Sequence, residues 1–222
     1  MTNVTTAVKT EHASVTMVRE FHTIFGHLIR PEFFSDEFLA DLRNRITRTE
    51  MIDEEVGELK IAYTIDKSFI EVIDALADIV YLTAGAALLH GVSLAPHIKE
   101  PMFSVPQNRV VDSVAGREIV RRFRELADDY TFQTTPEGIV ESLEGLIAYA
   151  YEVADNLGVD LHEVVTEVHR SNLTKLDEDG NPIYKVAGDP TSKVIKGPNF
   201  ENPRIELILD RQLAREAQVA NA

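Results

Sequence analysis

The chain has no cysteine, which excludes disulfides and thiolate metal sites and fits a reducing compartment. No uninterrupted apolar run approaches the roughly 20 residues that span a bilayer, and Met1-Thr2-Asn3-Val4 lacks the basic region and apolar core of a signal peptide. The expectation is a cytoplasmic protein that engages no membrane. Basic residues are also scarce: 22 Lys and Arg stand against 37 Asp and Glu, a formal charge of −15. Nucleic-acid polymers are bound by clustered cations, so a broad polymer footprint is disfavoured. A polyphosphate ligand is still admissible where bound cations reverse the local field. Of the 222 residues, 44% are hydrophobic, enough for a real core.

Helical spacing organises most of the chain. Residues 1–13 are polar and without period, and read as a mobile tail. A first helix is predicted from Ser14, with Val15, Val18, Phe21, His22 and Phe25 in register and Gly26 as its stop. After a connector and a cap at Ser35 or Asp36, a long helix runs from about Glu37 to Tyr63, burying Phe38, Leu39, Leu42, Ile46, Ile52, Val56, Leu59 and Ile61. Asp66 or Ser68 caps a third helix that ends at His90 before Gly91 and is apolar over most of its circumference, as a central helix would be. Residues 95–113 are irregular. Helices follow at about 114–130, at 136–157 behind Thr135-Pro136-Glu137, and at about 160–171. Beyond Leu173 the period is lost, and turn clusters around Asp179-Gly180 and Gly188 predict a β-hairpin or an irregular lid, with a final helix from Ile205. The expected fold is an all-α bundle, with residues 14–94 and 109–172 as its halves and 173–222 as lid and extension. A 67-residue shift relates Gly91-Val92-Ser93-Leu94 to Gly158-Val159-Asp160-Leu161 and Glu58 to Glu125, but sets Arg122 opposite Glu55 and Gly145 opposite Asp78. The second half reads as a degenerate copy.

Six carboxylates fall within 25 residues, Glu54, Glu55 and Glu58 on one helix and Glu71, Asp74 and Asp78 on the next. Residues three or four apart share a helix face. Two such faces opposed supply the hard oxygen ligands that magnesium takes, usually together with substrate phosphates. Acidic runs on helices are also ordinary solvated surface, and Ser68-Phe69-Ile70-Glu71 fits a capping box that needs no metal. Asp74 and Asp78 weigh against that reading, because they sit among Ile73, Leu76, Ile79 and Val80, where an unpaired carboxylate is costly.

The pattern Glu-Glu-x-x-Glu at 54–58, followed by Glu71-Val72-Ile73-Asp74-Ala75-Leu76-Ala77-Asp78, resembles the motif of the MazG-like all-α nucleoside triphosphate pyrophosphohydrolases, which include phosphoribosyl-ATP pyrophosphohydrolase and dimeric dUTPases. The run His169-Arg170-Ser171-Asn172-Leu173-Thr174-Lys175-Leu176, Asp179-Gly180-Asn181-Pro182-Ile183-Tyr184 and Lys196-Gly197-Pro198-Asn199 are similar as well. The resemblance covers roughly residues 15–94 and 145–200. It implies Mg²⁺-dependent hydrolysis between the α and β phosphates of a nucleotide, with Mn²⁺ as a possible substitute. By the same resemblance Glu55, Glu58 and Asp78 are the firmest metal ligands. Asp74 and Glu71 share a fourth place, since Ala75 stands where many relatives have Glu. Glu54 is an outer ligand or positions the attacking water.

Asn172 and Lys175 match a family position near the phosphates, and Lys196 adds a second cation from the tail. Arg45, Arg48 and Arg170 are further phosphate candidates, and Phe21, His22 and Phe25 are candidates for contacting the base. The helices inserted between residues 95 and 145 depart from the short family members. They suggest that one chain supplies in cis a layer that others gain by dimerisation, although a dimer or tetramer remains the expectation. Nucleotide-pool control, by removing a noncanonical nucleotide or shaping precursors for a phage or its host, is the implied role. Phosphoribosyl-ATP hydrolysis in histidine synthesis and a non-catalytic, nucleotide-sensing helical protein are the alternatives.

Overall fold

The computed structural model describes residues 11–33, 38–96, 112–133, 135–189 and 192–220. Its described residues form seven α-helices: α1 (Ala13–Ile24), α2 (Phe38–Ile61), α3 (Phe69–His90), α4 (Ser113–Phe132), α5 (Pro136–Asn156), α6 (Leu161–Asn172) and α7 (Ile205–Ala220). Two hairpins, α2–α3 and α4–α5, pack into a four-helix bundle in which α2 faces α4 and α3 faces α5. Helix α5 begins where the 67-residue shift of α3 begins and ends one residue short of it. Helices α1 and α6 cover the remaining side of α3, and α7 docks on α6.

Local chemistry sets the helix ends. Ser68 caps α3 by accepting from the Glu71 N–H (3.3 Å), and Thr135 caps α5 by accepting from the Gly138 N–H (3.1 Å) ahead of Pro136 at the first turn. Gly91 closes α3 in the left-handed conformation, φ 65°. The tail expected over residues 1–13 does not include its last three: residues 1–10 lie outside the described residues, and from Glu11 the chain is anchored. His12 is buried, donates its backbone N–H to the Leu94 carbonyl (3.0 Å) and caps α1 by accepting from the Ser14 N–H (3.3 Å). The expected cap at Ser35 or Asp36 and most of the irregular stretch at 95–113 also lie outside the described residues.

Helix α3 is the axis of the molecule. Val72, Ile73, Leu76, Ile79, Val80, Ala84 and Ala87 are all buried. Against the expectation from uninterrupted runs, this helix is long and apolar enough to cross a membrane, with a window of mean hydropathy 1.8. That window is 83% buried inside the fold, which makes α3 the core helix of a bundle.

Helix α2 differs from its predicted pattern in two ways. Ile46 and Ile61 are exposed, while Arg45 and Thr49 are buried. The stripe turns because α2 faces α3 and α4 together, and Thr49 bonds Thr131 of α4. The regular helix also stops at Ile61 and widens into a π-helical turn, Ala62–Asp66, which buries Tyr63 against α4. There a Cβ on residue 116 would lie 2.5 Å from Tyr63 Cβ and Cγ. Gly116→Ala is therefore expected to cost about 1–3 kcal/mol through overpacking. Urea denaturation checks this, and an unchanged midpoint would mean that Tyr63 yields without penalty.

The C-terminal segment carries two isolated antiparallel bridges, Leu176 with Pro182 and Tyr184 with Val194, and no continuous strand among the described residues. The irregular form of the predicted lid is the one present. Tyr184 donates its hydroxyl to the Phe25 carbonyl (2.6 Å), and Ser171 donates to the Glu201 carbonyl (2.7 Å). These bonds fix the lid across α1 and α6.

Candidate functional site

A cavity of about 210 Å³ opens between α1, α2, α3, the end of α6 and the lid. Two helix stripes line it. Thr47, Arg48, Met51, Glu54 and Glu55 follow i, i+4 and i+7 spacings along α2, and Asp78, Tyr81, Leu82, Gly85 and Leu89 do the same along α3. Val18, Phe21, His22, His27 and Leu28 close one side, while Asn172, Lys175, Ser192, Lys193 and Val194 close the mouth.

Glu54, Glu55, Asp78, Asn172, Lys175, His22 and Arg48, all singled out in the sequence, thus meet around one space. Phe25 does not. It is fully buried and stacks on Phe21 at 4.2 Å between ring centroids, behind the cavity wall. Glu58, Glu71, Asp74 and Lys196 lie outside the cavity lining, yet all four act electrostatically on the carboxylate cluster, Asp74 by pushing up the pKa of Asp78. Glu58 pushes up the pKa of Glu55, Asp74 and Asp78, Glu71 pushes up that of Asp74, and Lys196 pulls Asp74 down. Lys196 lies 4.5 Å above the Phe200 ring, with Lys175 at 5.8 Å from the same ring. Gly197 permits this arrangement, since a Cβ there would fall 2.1 Å from the Leu176 carbonyl oxygen.

Two of the arginine candidates, Arg45 and Arg170, lie outside the cavity lining. Arg170 is held by Glu167 (2.8 Å), Glu201 (2.7 Å) and the Asn202 carbonyl (3.2 Å). Arg45 is buried in the body of α2, outside the cavity lining.

The acidic groups are strained by their setting. Burial, then the charges of Asp78, Glu58 and Glu54, push the Glu55 carboxyl up to about 8. Burial and the neighbouring Glu71 and Glu58 hold Asp74 at about 6, and burial with Asp74 holds Asp78 at about 7. As the side chains stand, no three of these carboxylates converge closely enough to share an ion among the described residues. Glu54, at the cavity wall, forms an ion pair with Lys193 (3.1 Å). The donor set itself suits a hard divalent cation, being all oxygen, on rigid facing helices, and partly withdrawn from water. A cation would relieve the repulsion and burial that raise three of these pKa values.

Sequence reasoning missed several contributors. Lys193 sits in a loop without period and carries no sequence signal. Tyr81 and His169 form a buried relay. Glu20 accepts from His169 Nε2 (3.1 Å), His169 Nδ1 lies 3.0 Å from the Tyr81 hydroxyl, and the Tyr81 oxygen takes a hydrogen bond from Asn172. The relay orients Asn172 at the cavity mouth. Met51, Leu82 and Gly85 continue the two acidic stripes by whole helical turns and were legible from that period.

The family model for phosphoribosyl-ATP pyrophosphohydrolase matches residues 18–101, which contain every carboxylate of the cluster. The chain is also 30% identical over 175 residues to "Uncharacterized protein L479" of Acanthamoeba polyphaga mimivirus, covering 72% of this chain and 69% of that protein. No solved structure matches.

Proposed function

Because the chain belongs to the phosphoribosyl-ATP pyrophosphohydrolase family, within the MazG-like all-α superfamily of nucleotide pyrophosphohydrolases, we propose that it cleaves the α–β phosphoanhydride of a free nucleoside triphosphate. Water adds to the α-phosphorus, the bond to the bridging oxygen breaks, and the products are a monophosphate and pyrophosphate. The observation that carries this reading is the meeting of two acidic helix stripes with Lys175, Lys193 and Asn172 around one cavity. Glu55, Glu58 and Asp78, with Asp74 and Glu71 beside them, are the residues that would hold Mg²⁺ or Mn²⁺. When bound, such ions offset polyphosphate charge and activate water.

The protein's own groups have separable tasks. Lys175 faces Asp78, and burial lowers its pKa, so it places a poorly hydrated cation where phosphate oxygens arrive. Lys193 occupies Glu54 in this conformation. A phosphate that draws Lys193 away frees Glu54 to orient the attacking water. Asn172, held through Tyr81, donates or accepts at the same mouth. Control of a nucleotide pool is the role that fits such an activity, and assembly as a dimer or tetramer is part of the proposal.

The test is direct. Purified protein with Mg²⁺ or Mn²⁺ is given ribo- and deoxynucleoside triphosphates, and the products are resolved. Monophosphate and pyrophosphate in equal amounts are expected from at least one substrate. Diphosphate with orthophosphate, or no turnover of any nucleotide, overturns the reading.

A further inference from the structure

The cavity has a second pole, away from its carboxylates. Arg48 precedes Glu55 by seven residues on α2, and Gly85 follows Asp78 by seven on α3. At 1.5 Å per residue, the two levels stand about 10 Å apart along the hairpin. At the far level, a Cβ on residue 85 would sit 3.2 Å from His22 Nε2 and 3.3 Å from Arg48 Nη1. Glycine therefore opens the floor on which these two groups lie side by side, under walls made by Val18, Phe21, Met51 and Leu82.

Both groups point to a ligand of defined polarity. His22 Nδ1 lies 3.1 Å from the Leu28 carbonyl oxygen, which can only accept, so the proton is on Nδ1 and Nε2 is an acceptor. Burial, followed by the Arg48 charge, holds the ring pKa down to about 3, and the ring is neutral at neutral pH. Nε2 makes no hydrogen bond among the described residues. Arg48 carries donors only. No hydrogen bond or ion pair engages it among the described residues, and burial lowers its pKa. A half-buried guanidinium without a carboxylate is costly unless a ligand brings acceptors.

A nucleobase meets these demands in one tautomeric pattern. The lactam unit, a carbonyl beside a ring N–H, gives Arg48 its acceptor and His22 Nε2 its donor. Guanine and hypoxanthine carry it at O6 and N1–H, and uracil and thymine at O4 and N3–H. Adenine and cytosine reverse both groups, setting an amino donor against Arg48 and a bare ring nitrogen against Nε2. We propose that this cavity selects nucleotides with a lactam base, Arg48 donating to the carbonyl and His22 Nε2 accepting from the ring N–H. The inference rests on the cavity being the nucleotide site of the proposed reaction. It assigns Arg48 to the base, two turns from the residues proposed to receive the phosphates.

The test measures binding, which does not need turnover. Dissociation constants of GMP, AMP, UMP and CMP are compared on the full chain by calorimetry, within each ring size. In at least one ring class the lactam partner is expected to bind about tenfold tighter, and in neither class does the amino partner win. Arg48→Met should bring the lactam base down to its amino counterpart and leave the latter nearly unchanged. Equal affinities within both pairs, a preference for AMP or CMP, or a uniform loss across all four nucleotides in Arg48→Met overturns the proposal, the last by assigning Arg48 to phosphate. The wild-type panel decides the matter even where the variant fails to fold. Lactam preference without hydrolysis of any triphosphate would sink the proposed reaction and leave the base assignment standing. Hydrolysis without base preference would do the reverse.

Discussion

Asp78→Asn is expected to lower nucleotide turnover by at least about a hundredfold, because it removes a carboxylate placed to hold the metal. In metal-free protein at pH 8 it is expected to do the opposite to stability. Burial and the nearby Asp74 hold the Asp78 carboxyl at about 7, so at pH 8 the wild-type protein keeps an ionised group where the fold disfavours one. Each pH unit by which a carboxyl is displaced is worth about 1.4 kcal/mol. The raised pKa already includes the attraction of Lys175, and the buried amide keeps a polar desolvation cost of its own, which leaves a net gain of about 1–2 kcal/mol for the neutral isostere. Steady-state assays and thermal melts of the two proteins check both halves. Retained activity would remove Asp78 from the metal site. A lower melting temperature would make Asp78 a structural partner of Lys175 and dissociate its charge from function.

A purely structural carboxylate has the opposite signature, and Glu167 shows it within this chain. Burial penalises its charge, but hydrogen bonds from Arg170, Arg204 and the Arg204 backbone N–H outweigh that and hold its carboxyl at about 2. Glu167 is thus satisfied by the fold, whereas Glu55, Asp74 and Asp78 are tolerated by it. Stability given up at one place on rigid helices is the usual mark of a site kept for a ligand.

The bundle was readable from the sequence because its signals are local. Ser68, Thr135 and Pro136 start their helices and Gly91 stops α3 as their side chains and backbone preferences dictate, and the apolar period of α3 identified the central helix. The carboxylates on α2 and α3 were equally plain, since spacing fixes which residues share a face. What escaped depends on packing between distant segments. Ile46 and Ile61 fit an apolar stripe in sequence, yet α2 sets Thr49 against Thr131, and the π-helical turn after it seats Tyr63 against Gly116. Phe25 has the chemistry of a base-stacking residue and is spent instead on stacking beneath Phe21. Lys193 reaches Glu54 across 139 positions of chain, and the Glu20–His169–Tyr81 relay joins three helices. No period or motif within one segment encodes such contacts.

Between pH 6.5 and 8, metal-free protein is expected to lose thermal stability as pH rises, and Mg²⁺ is expected to restore it more strongly at pH 8 than at pH 6.5. The sign follows from proton counts. The folded pKa values of Glu55 (about 8), Asp78 (about 7) and Asp74 (about 6) are raised above ordinary values of 4.5, 3.8 and 3.8. The native state therefore holds more protons than the unfolded chain from about pH 4 to pH 8, and stability falls as those protons leave. His22 works the other way. Its folded pKa is lowered from 6.5 to about 3, so its contribution rises with pH only up to about 6.5 and masks the carboxylates below that point. Above it, Glu55 and Asp78 dominate, and Lys175, lowered from 10.5 by burial, opposes them from the alkaline side. Protons and Mg²⁺ compete for the same oxygens, so the metal-induced rise in melting temperature grows across the window. Scanning calorimetry at fixed ionic strength, with and without Mg²⁺, measures both trends. A flat profile from pH 6.5 to 8, or a magnesium shift independent of pH, would show that the clustered carboxylates neither repel one another nor receive the ion.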